Sequence, residues 1–87
     1  MKSNTNRAFW VRYRGLPLEV REKARAAYRL FKQDPYHASL QFKELKGKEG
    51  LYSVRIGRNH RVLGTMTDNE IMWFWIGTHA EYDTQIK

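Results

Sequence analysis

The sequence contains no cysteine among its 87 residues. This absence excludes a disulfide framework, a thiol nucleophile and every metal site built on thiolates. It also fits a reducing cytoplasm, where we expect the protein to act. The three histidines, His37, His60 and His79, are too scattered in the sequence to form a metal-binding motif. We therefore expect neither a metal nor a cofactor.

Long apolar segments are also missing. The longest unbroken apolar run, Ile71 to Ile76, has the length of a strand and is far shorter than the roughly 20 residues that span a bilayer. The first six residues are largely polar, so we expect neither a signal peptide nor a membrane partner. The sequence also lacks a phosphate-binding G-x-x-x-x-G-K-[ST] loop, a G-x-S-x-G motif and a second recognition helix for helix-turn-helix binding.

Aromatic residues and positive charge are what the sequence has in quantity. With 41% hydrophobic and 14% aromatic residues, the chain is too apolar to be disordered, and its length fits one domain, residues 1–87. Lys and Arg number 16 against 9 Asp and Glu, which gives a net charge of +7. A basic domain is attracted to polyanions such as RNA, DNA or an acidic protein, although a merely solubilising basic surface gives the same count.

Hydrophobic periodicity predicts the element order β-α-(α)-β-β-β. The aromatic segment Phe9–Arg14 is predicted as a first strand, and the apolar spacing in Pro17–Gln33 predicts a helix that ends before Pro35. Residues 36–50 are predicted as a charged loop with a short helical turn. Three strands should then form an antiparallel meander: Leu51–Ile56, His60–Thr67 and Glu70–Thr78. The fold class is α+β, a small antiparallel sheet with one face covered by the N-terminal helix and the last strand internal.

Alternation along these strands assigns side chains to two faces. The helix should cover an apolar face made of Tyr52, Val54, Ile56, Val62, Met66, Met72, Phe74 and Ile76. The opposite face should carry Arg55, Arg61, Trp73 and Trp75, and lead to His79. Left uncovered, that face suits a phosphate backbone and stacked bases. Each residue also has an ordinary interpretation, as a solvated arginine, a core tryptophan or a surface histidine.

Four segments carry a resemblance to a known family. They are F-K-E-L-K-G at 42–47, G-L-Y-S-V-R-I at 50–56, N-H-R-V-L at 59–63 and W-I-G-T-H-A-E-Y-D at 75–83. In this order and spacing they resemble the RelE/ParE superfamily of toxins from type II toxin–antitoxin systems. The resemblance implies a compact ribonuclease-like fold and neutralisation by an acidic or amphipathic antitoxin. Many members of the superfamily cut mRNA on the ribosome, and others inhibit DNA gyrase.

The resemblance also assigns roles by position. Arg55 and Arg61 match phosphate-binding positions, His79 matches a position where ribonuclease members carry Arg or His, and Tyr82 matches a C-terminal tyrosine. RNA-binding roles fall to Lys43, Lys46 and Arg58. Metal-free RNA cleavage needs cations for the charge that grows on phosphorus, and groups that move protons at the two reacting oxygens. We expect the arginines to supply the positive charge and His79, assisted by Tyr82, to move the protons.

Three functions stay open at this point. The first is a metal-independent, ribosome-associated mRNA endonuclease that inhibits translation. The second is a ParE-type gyrase inhibitor without catalysis, since Ser53 stands where some ribosome-dependent members carry a lysine. The third is a non-toxic protein-binding domain of the same fold. In each case we expect an acidic antitoxin-like partner, docked on exposed Trp73 and Trp75.

Overall fold

Five strands and three α-helices make up the computed structural model, which describes residues 1–87. In chain order they are β1 (Lys2–Thr5), α1 (Arg7–Arg14), α2 (Leu18–Gln33), a 3₁₀ turn (Ala38–Leu40), β2 (Lys43–Glu44), β3 (Leu51–Ile56), β4 (His60–Thr67), β5 (Glu70–Thr78) and α3 (His79–Gln85). The predicted α+β class is confirmed. None of the helices combines the length and the apolar character that crossing a membrane requires.

The strands form one sheet in the order β1-β5-β4-β3-β2. The predicted meander of β3, β4 and β5 is confirmed, as is the internal position of β5. Asp68 and Asn69 turn the chain between β4 and β5 with positive φ angles, the conformation that tight hairpins favour. The sheet is mixed rather than purely antiparallel, because β1 pairs with β5 in parallel. Ser3 fixes this polar strand by accepting a 2.9 Å hydrogen bond from Trp73 Nε1.

The predicted first strand, Phe9–Arg14, is wrong, because this segment forms helix α1. Asn6 caps the helix by accepting a 3.0 Å hydrogen bond from the Phe9 backbone N–H. Phe9 and Tyr13 then lie one helical turn apart and are both buried. The spacing of these aromatic residues is compatible with a helix as well as with a strand. The cap at Asn6 stabilises the helix.

Helix α2 is confirmed within one residue of its predicted start. It buries Val20, Ala24 and Phe31 toward the sheet and ends at Gln33, with Asp34 as the capping residue before Pro35. Both α1 and α2 cover the same sheet face, with α1 along β5 and α2 over β3. Two helices therefore cover the face where we expected one.

The sheet separates two hydrophobic cores. The helix-side core contains Phe9, Tyr13, Ala24, Phe31, Leu40, Val54, Ile56, Val62, Ile71, Trp73 and Ile76. The second core, on the opposite face, contains Leu45, Leu63, Trp75 and Tyr82. Helix α3 packs over this second core through Tyr82, so the expectation of an uncovered face is wrong.

A β-bulge changes the predicted faces of β5. Leu63 pairs with Trp75 but the next residue, Gly64, pairs with Trp73, which leaves Phe74 as an extra residue. Trp73 therefore belongs to the helix-side core, while Phe74 packs against the second core. Met72, predicted on the helix side, pairs with Thr65 on the other face and is 37% exposed. Gly64 permits the arrangement, because a Cβ there would lie 2.5 Å from the Trp73 ring.

Candidate functional site

Two arginines face each other across neighbouring strands. Arg55 on β3 and Arg61 on β4 are direct partners in the antiparallel register, so their side chains share one face of the sheet, as predicted. It is the face of the second core, since Leu63 lies two residues along from Arg61. Both arginines are half-buried. The predicted juxtaposition of the two guanidinium groups is therefore present.

Both guanidinium groups are held by the hairpin that joins β3 and β4. Arg55 Nε donates to the Gly57 carbonyl at 2.8 Å, and Arg61 Nη1 donates to the His60 carbonyl at 2.9 Å. The ion pairs of the structure are Arg12–Glu81 and His79–Asp83, so no carboxylate neutralises the arginine pair. Like charges placed directly opposite each other destabilise a sheet. An anion bound between them would relieve that repulsion, which makes this pair a candidate phosphate site.

His79 lies at the same end of the sheet. It is the first residue of α3, and its backbone N–H donates to the Asn59 carbonyl of the β3–β4 turn at 2.7 Å. Its Nδ1 lies 3.1 Å from Asp83 Oδ2, one helical turn further on. The imidazole is about half exposed, with Nε2 as its second reactive atom. A histidine oriented by a carboxylate through one nitrogen can exchange a proton through the other.

Asp83 is the functional candidate that the sequence reasoning missed. Its i, i+4 spacing from His79 is visible in the sequence, but it predicts a contact only once residues 79–85 are known to be helical.

Tyr82 lies beside His79 but mainly packs. Its ring centroid is 6.0 Å from that of His79, and the residue is 7% exposed within the second core. The Tyr82 hydroxyl makes no hydrogen bond within the protein. Its proximity is compatible with the predicted assisting role, while its burial gives it a structural role as well.

The three predicted RNA-binding residues occupy different places. Lys43 on β2 pairs with Ser53, which puts it on the face of the arginine pair and diagonal to Arg55. Arg58 lies exposed in the β3–β4 turn, next to the Asn59 carbonyl that holds His79. Lys46 lies in the loop after β2, and no contact joins it to the arginine pair. Lys43 therefore extends the positive surface of Arg55 and Arg61, and Arg58 adds an exposed positive residue in the turn that joins their strands.

Trp73 and Trp75 do not form the predicted exposed patch. Trp73 is 3% exposed and packs edge-on against Phe31, and Trp75 is 6% exposed in the second core. The bulge places them on opposite faces of the sheet. A partner cannot dock on either ring, so the expectation of an exposed Trp73/Trp75 docking surface is wrong.

An apolar groove on the helix side offers a docking surface instead. A cavity of about 230 Å³ separates α1 from α2 above β3 and β4. Phe9, Trp10 and Tyr13 line it from α1, with Arg25 and Arg29 contributed by α2. Trp10 is 39% exposed beside it. This surface, which we call the helix groove, lies on the opposite side of the sheet from the arginine pair.

Two ionisable groups near the α3 end of the sheet have shifted pKa values. Hydrogen bonds from the Thr78 backbone and hydroxyl lower the pKa of Glu81, and Arg12 contributes to the same effect. Burial lowers the pKa of His60, with Lys23 adding to the shift and Glu81 opposing it. His60 pairs with Ile56 and so shares its helix-side face, away from the arginine pair. The structure brings no three His, Asp or Glu side chains together in a way that could hold a metal ion.

Comparison with known proteins gives both a family and a fold. The ParE-like toxin domain family matches residues 18–84. A chain of the RelB–RelE antitoxin–toxin complex from Methanococcus jannaschii is 14% identical with a TM-score of 0.76, over 95% of this chain and 98% of that chain. The YoeB/ParE toxin from Agrobacterium tumefaciens is 22% identical with a TM-score of 0.69, over 91% and 99% of the two chains.

A third solved structure has the same fold. A chain of the YoeB–YefM complex from Staphylococcus aureus is 19% identical with a TM-score of 0.66, over 91% of this chain and 97% of that chain. A search of curated protein sequences gives no significant match. At these identities the structural likeness shows the fold, while the family match spans most of the chain. The resemblance predicted from the sequence is confirmed: the chain belongs to the ParE-like toxins of the RelE/ParE superfamily, the toxin components of toxin–antitoxin systems.

Proposed function

We propose that this toxin inhibits translation in the cytoplasm by cutting mRNA on the ribosome without a metal ion. The observation that carries the proposal is the arginine pair: Arg55 directly opposes Arg61, without a carboxylate partner, at the end of the sheet where α3 presents His79. A phosphodiester seated between the two guanidinium groups would place its ribose near the imidazole.

The reaction needs few groups. The ribose 2′-oxygen attacks the adjacent phosphorus, the bond to the 5′-oxygen breaks, and the products carry a 2′,3′-cyclic phosphate and a 5′-hydroxyl. Arg55 and Arg61 stabilise the negative charge that develops on the phosphorane. His79 Nε2 moves a proton at one of the two reacting oxygens, while Asp83 holds Nδ1. Such general acid–base catalysis contributes about 10²–10⁴-fold.

The ribosome is the proposed partner because this face offers little enclosure. The helix groove, an apolar cavity of about 230 Å³, lies on the other side of the sheet. A shallow face with a few cations binds phosphate but does not by itself align a 2′-oxygen with the departing 5′-oxygen. Alignment of this kind accounts for much of enzymatic rate enhancement, so we infer that the ribosome supplies it to the bound mRNA.

The helix groove is the proposed docking surface for an acidic antitoxin. Apolar side chains from an amphipathic segment would fill the space between α1 and α2, and its carboxylates would meet Arg25 and Arg29 at the rim. The matched chains come from solved structures described as a RelB–RelE antitoxin–toxin complex and a YoeB–YefM complex, which supports a partner of this kind.

The test of the proposed reaction is controlled expression of wild type, His79→Ala and His37→Ala. His37 is exposed and its imidazole hydrogen-bonds only to its local neighbour Ser39, so its variant controls for the loss of a histidine. We expect wild type and His37→Ala to arrest translation and to generate new mRNA 5′ ends. We expect His79→Ala to do neither while it folds normally. Continued translation without new ends in wild type would refute the proposal.

Gyrase inhibition without catalysis is the second candidate function. The observation that favours it is the match to the ParE-like family over residues 18–84. In that case no proton transfer is needed, so His79→Ala should stay toxic. Cells should then show DNA-damage signalling, and gyrase should co-purify with the toxin. The same set of variants therefore separates the two candidates.

A further inference from the structure

Arg12 on α1 joins three elements of the fold. Its Nε donates to the Ile76 carbonyl of β5 at 2.7 Å, and its guanidinium carbon lies 4.8 Å from the centre of the Trp75 ring. Its Nη2 lies 3.4 Å from Glu81 Oε1 at the start of α3. One side chain thus links the first helix to the end of the last strand and to the helix that carries His79.

The contact with Glu81 falls on the cap of α3. The Glu81 backbone N–H donates to Thr78 Oγ1 at 3.1 Å, and the Thr78 backbone N–H donates to Glu81 Oε1 at 2.9 Å, a reciprocal capping box. The same Glu81 oxygen faces Arg12. Arg12 therefore holds the carboxylate that closes the cap, and His79 is the next residue after the capping Thr78.

Helix α3 needs such support because it is short. It has seven residues, of which Tyr82 is the buried one. Isolated helices of this length are not stable in water, so packing and capping together decide where α3 lies. The position of the imidazole relative to the arginine pair consequently depends on the cap.

The Arg12 guanidinium and the Trp75 ring both lie close to the backbone at Gly77. A Cβ on Gly77 would lie 2.6 Å from the Trp75 ring and 2.9 Å from Arg12 Nη2. Gly77 is also the β5 partner of Arg61. Arg12 and the Trp75 ring therefore fill the space where a side chain at position 77 would lie, next to Arg61 on the neighbouring strand.

We propose that Arg12 is a positioning residue, which braces the start of α3 and thereby holds His79 against the face of Arg55 and Arg61. Its catalytic consequence rests on the proposed function, while the bracing of α3 does not. Arg12 contacts no reacting atom in this scheme. Its effect passes through Glu81 and Thr78.

The test compares the full chain with Arg12→Gln, Arg12→Lys and the control Arg14→Gln. Arg14 is exposed on the same helix and makes no side-chain hydrogen bond or ion pair. In single-turnover cleavage on programmed ribosomes, Arg12→Gln should lower the rate constant about 10–100-fold, the scale of a misplaced catalytic group, with the half-saturating concentration unchanged. Arg12→Lys, which keeps the cation but loses the Nε donor, should fall between. Arg14→Gln should match wild type.

Amide hydrogen exchange supplies a readout that does not depend on activity. In Arg12→Gln the amides of α3 should exchange at least about tenfold faster than in wild type, while those of β4 stay unchanged. Adding Glu81→Gln to Arg12→Gln should cause no further loss of activity, because both substitutions remove the same contact between Arg12 and Glu81.

Three outcomes would overturn the bracing role. Cleavage by Arg12→Gln at the rate of Arg14→Gln is the first, and unchanged α3 exchange is the second. An equal loss of protection in α3 and β4, which reports general destabilisation, is the third. If wild type does not cleave mRNA at all, the proposed function fails, and the exchange comparison alone then decides whether Arg12 holds α3.

Discussion

The two faces of the sheet differ in the number of residues they bury and in the charges they carry. The helix-side core has 11 buried residues, which come from α1, α2, the 3₁₀ turn, β3, β4 and β5. The second core has four buried residues. The second face instead carries the uncompensated arginines and His79. Most of the burial that stabilises the fold therefore lies on one side, and the residues of the proposed RNA cleavage lie on the other. A small toxin can hold repelling charges because the opposite face supplies the stability.

The largest effect on stability should come from the helix-side core. Phe31 is 4% exposed and packs edge-on against both Trp73 and Phe42. We expect Phe31→Ala to lower the free energy of unfolding by about 3–5 kcal/mol, measured by urea denaturation. Leu18→Ala, at a position 62% exposed on the same helix, is the control and should have little effect. Equal losses in the two variants would contradict the assignment of the core.

The second core should yield a smaller loss. Leu45 is 8% exposed within a four-residue cluster, where neighbouring side chains can move into a vacated space. We expect Leu45→Ala to cost about 2 kcal/mol in the same urea experiment. A loss as large as that of Phe31→Ala would mean that the two faces contribute equally to stability, and the contrast drawn between them would be wrong.

The arginine pair should respond in opposite ways in stability and in activity. Replacing Arg61 with Gln removes the repulsion from Arg55, so the free energy of unfolding should stay constant or rise by about 0.2–1 kcal/mol. Mutating a group that stabilises developing charge typically costs about 10²–10³-fold in rate, and we expect that loss in mRNA cleavage. A variant that is both less stable and fully active would show that the pair is structural.

The smallest effect should be a pH dependence from His60. Burial keeps its folded pKa below the ordinary value of 6.5, so the unfolded chain binds more protons between that value and the folded pKa. The contribution of His60 to the free energy of unfolding is therefore fully present above pH 6.5, and it declines as the pH falls from 6.5 toward the folded pKa. The urea midpoint of wild type should therefore fall more between about pH 7.5 and pH 5.5 than that of His60→Gln. Identical pH profiles for the two proteins would contradict the shift.

Several elements could be predicted from the sequence because their signals are local. Helix α2 has a long amphipathic period and a proline just after its end, and the meander has alternating strands separated by turn residues. The juxtaposition of Arg55 and Arg61 follows from the three-residue turn at 57–59 and from strict alternation along both strands. Nothing interrupts the register between the two strands that carry them.

Hydrophobic periodicity predicts the wrong element where pairing with a distant strand or a helix-capping motif decides the structure. Strand β1 is polar and forms only because β5 is available to pair with it, which no local pattern shows. The cap of α1 at Asn6 and the T-x-x-E capping box of Thr78 and Glu81 are visible in the sequence, and they are the local signals for α1 and α3.

Strict alternation predicts the wrong face for part of β5 because of a single extra residue. Strict alternation carries Trp73 and Trp75 to the same side, but the bulge at Phe74 separates them. Gly64, in the middle of a strand, is the sequence signal for such an irregularity, since glycine there marks a bulge or a close approach. One inserted residue moves Trp73 to the helix-side face while Trp75 stays on the predicted face, and this separation removes the predicted antitoxin surface.

The most direct test is the cleavage of ribosome-bound mRNA by the purified toxin, with the ribose at the cut position present or replaced by 2′-deoxyribose. We expect the all-ribose message to be cut to a 5′-hydroxyl product, and the deoxy message to stay intact because the attacking oxygen is gone. An uncut all-ribose message, or equal cleavage of both messages, would contradict the assignment of Arg55, Arg61 and His79 to RNA cleavage.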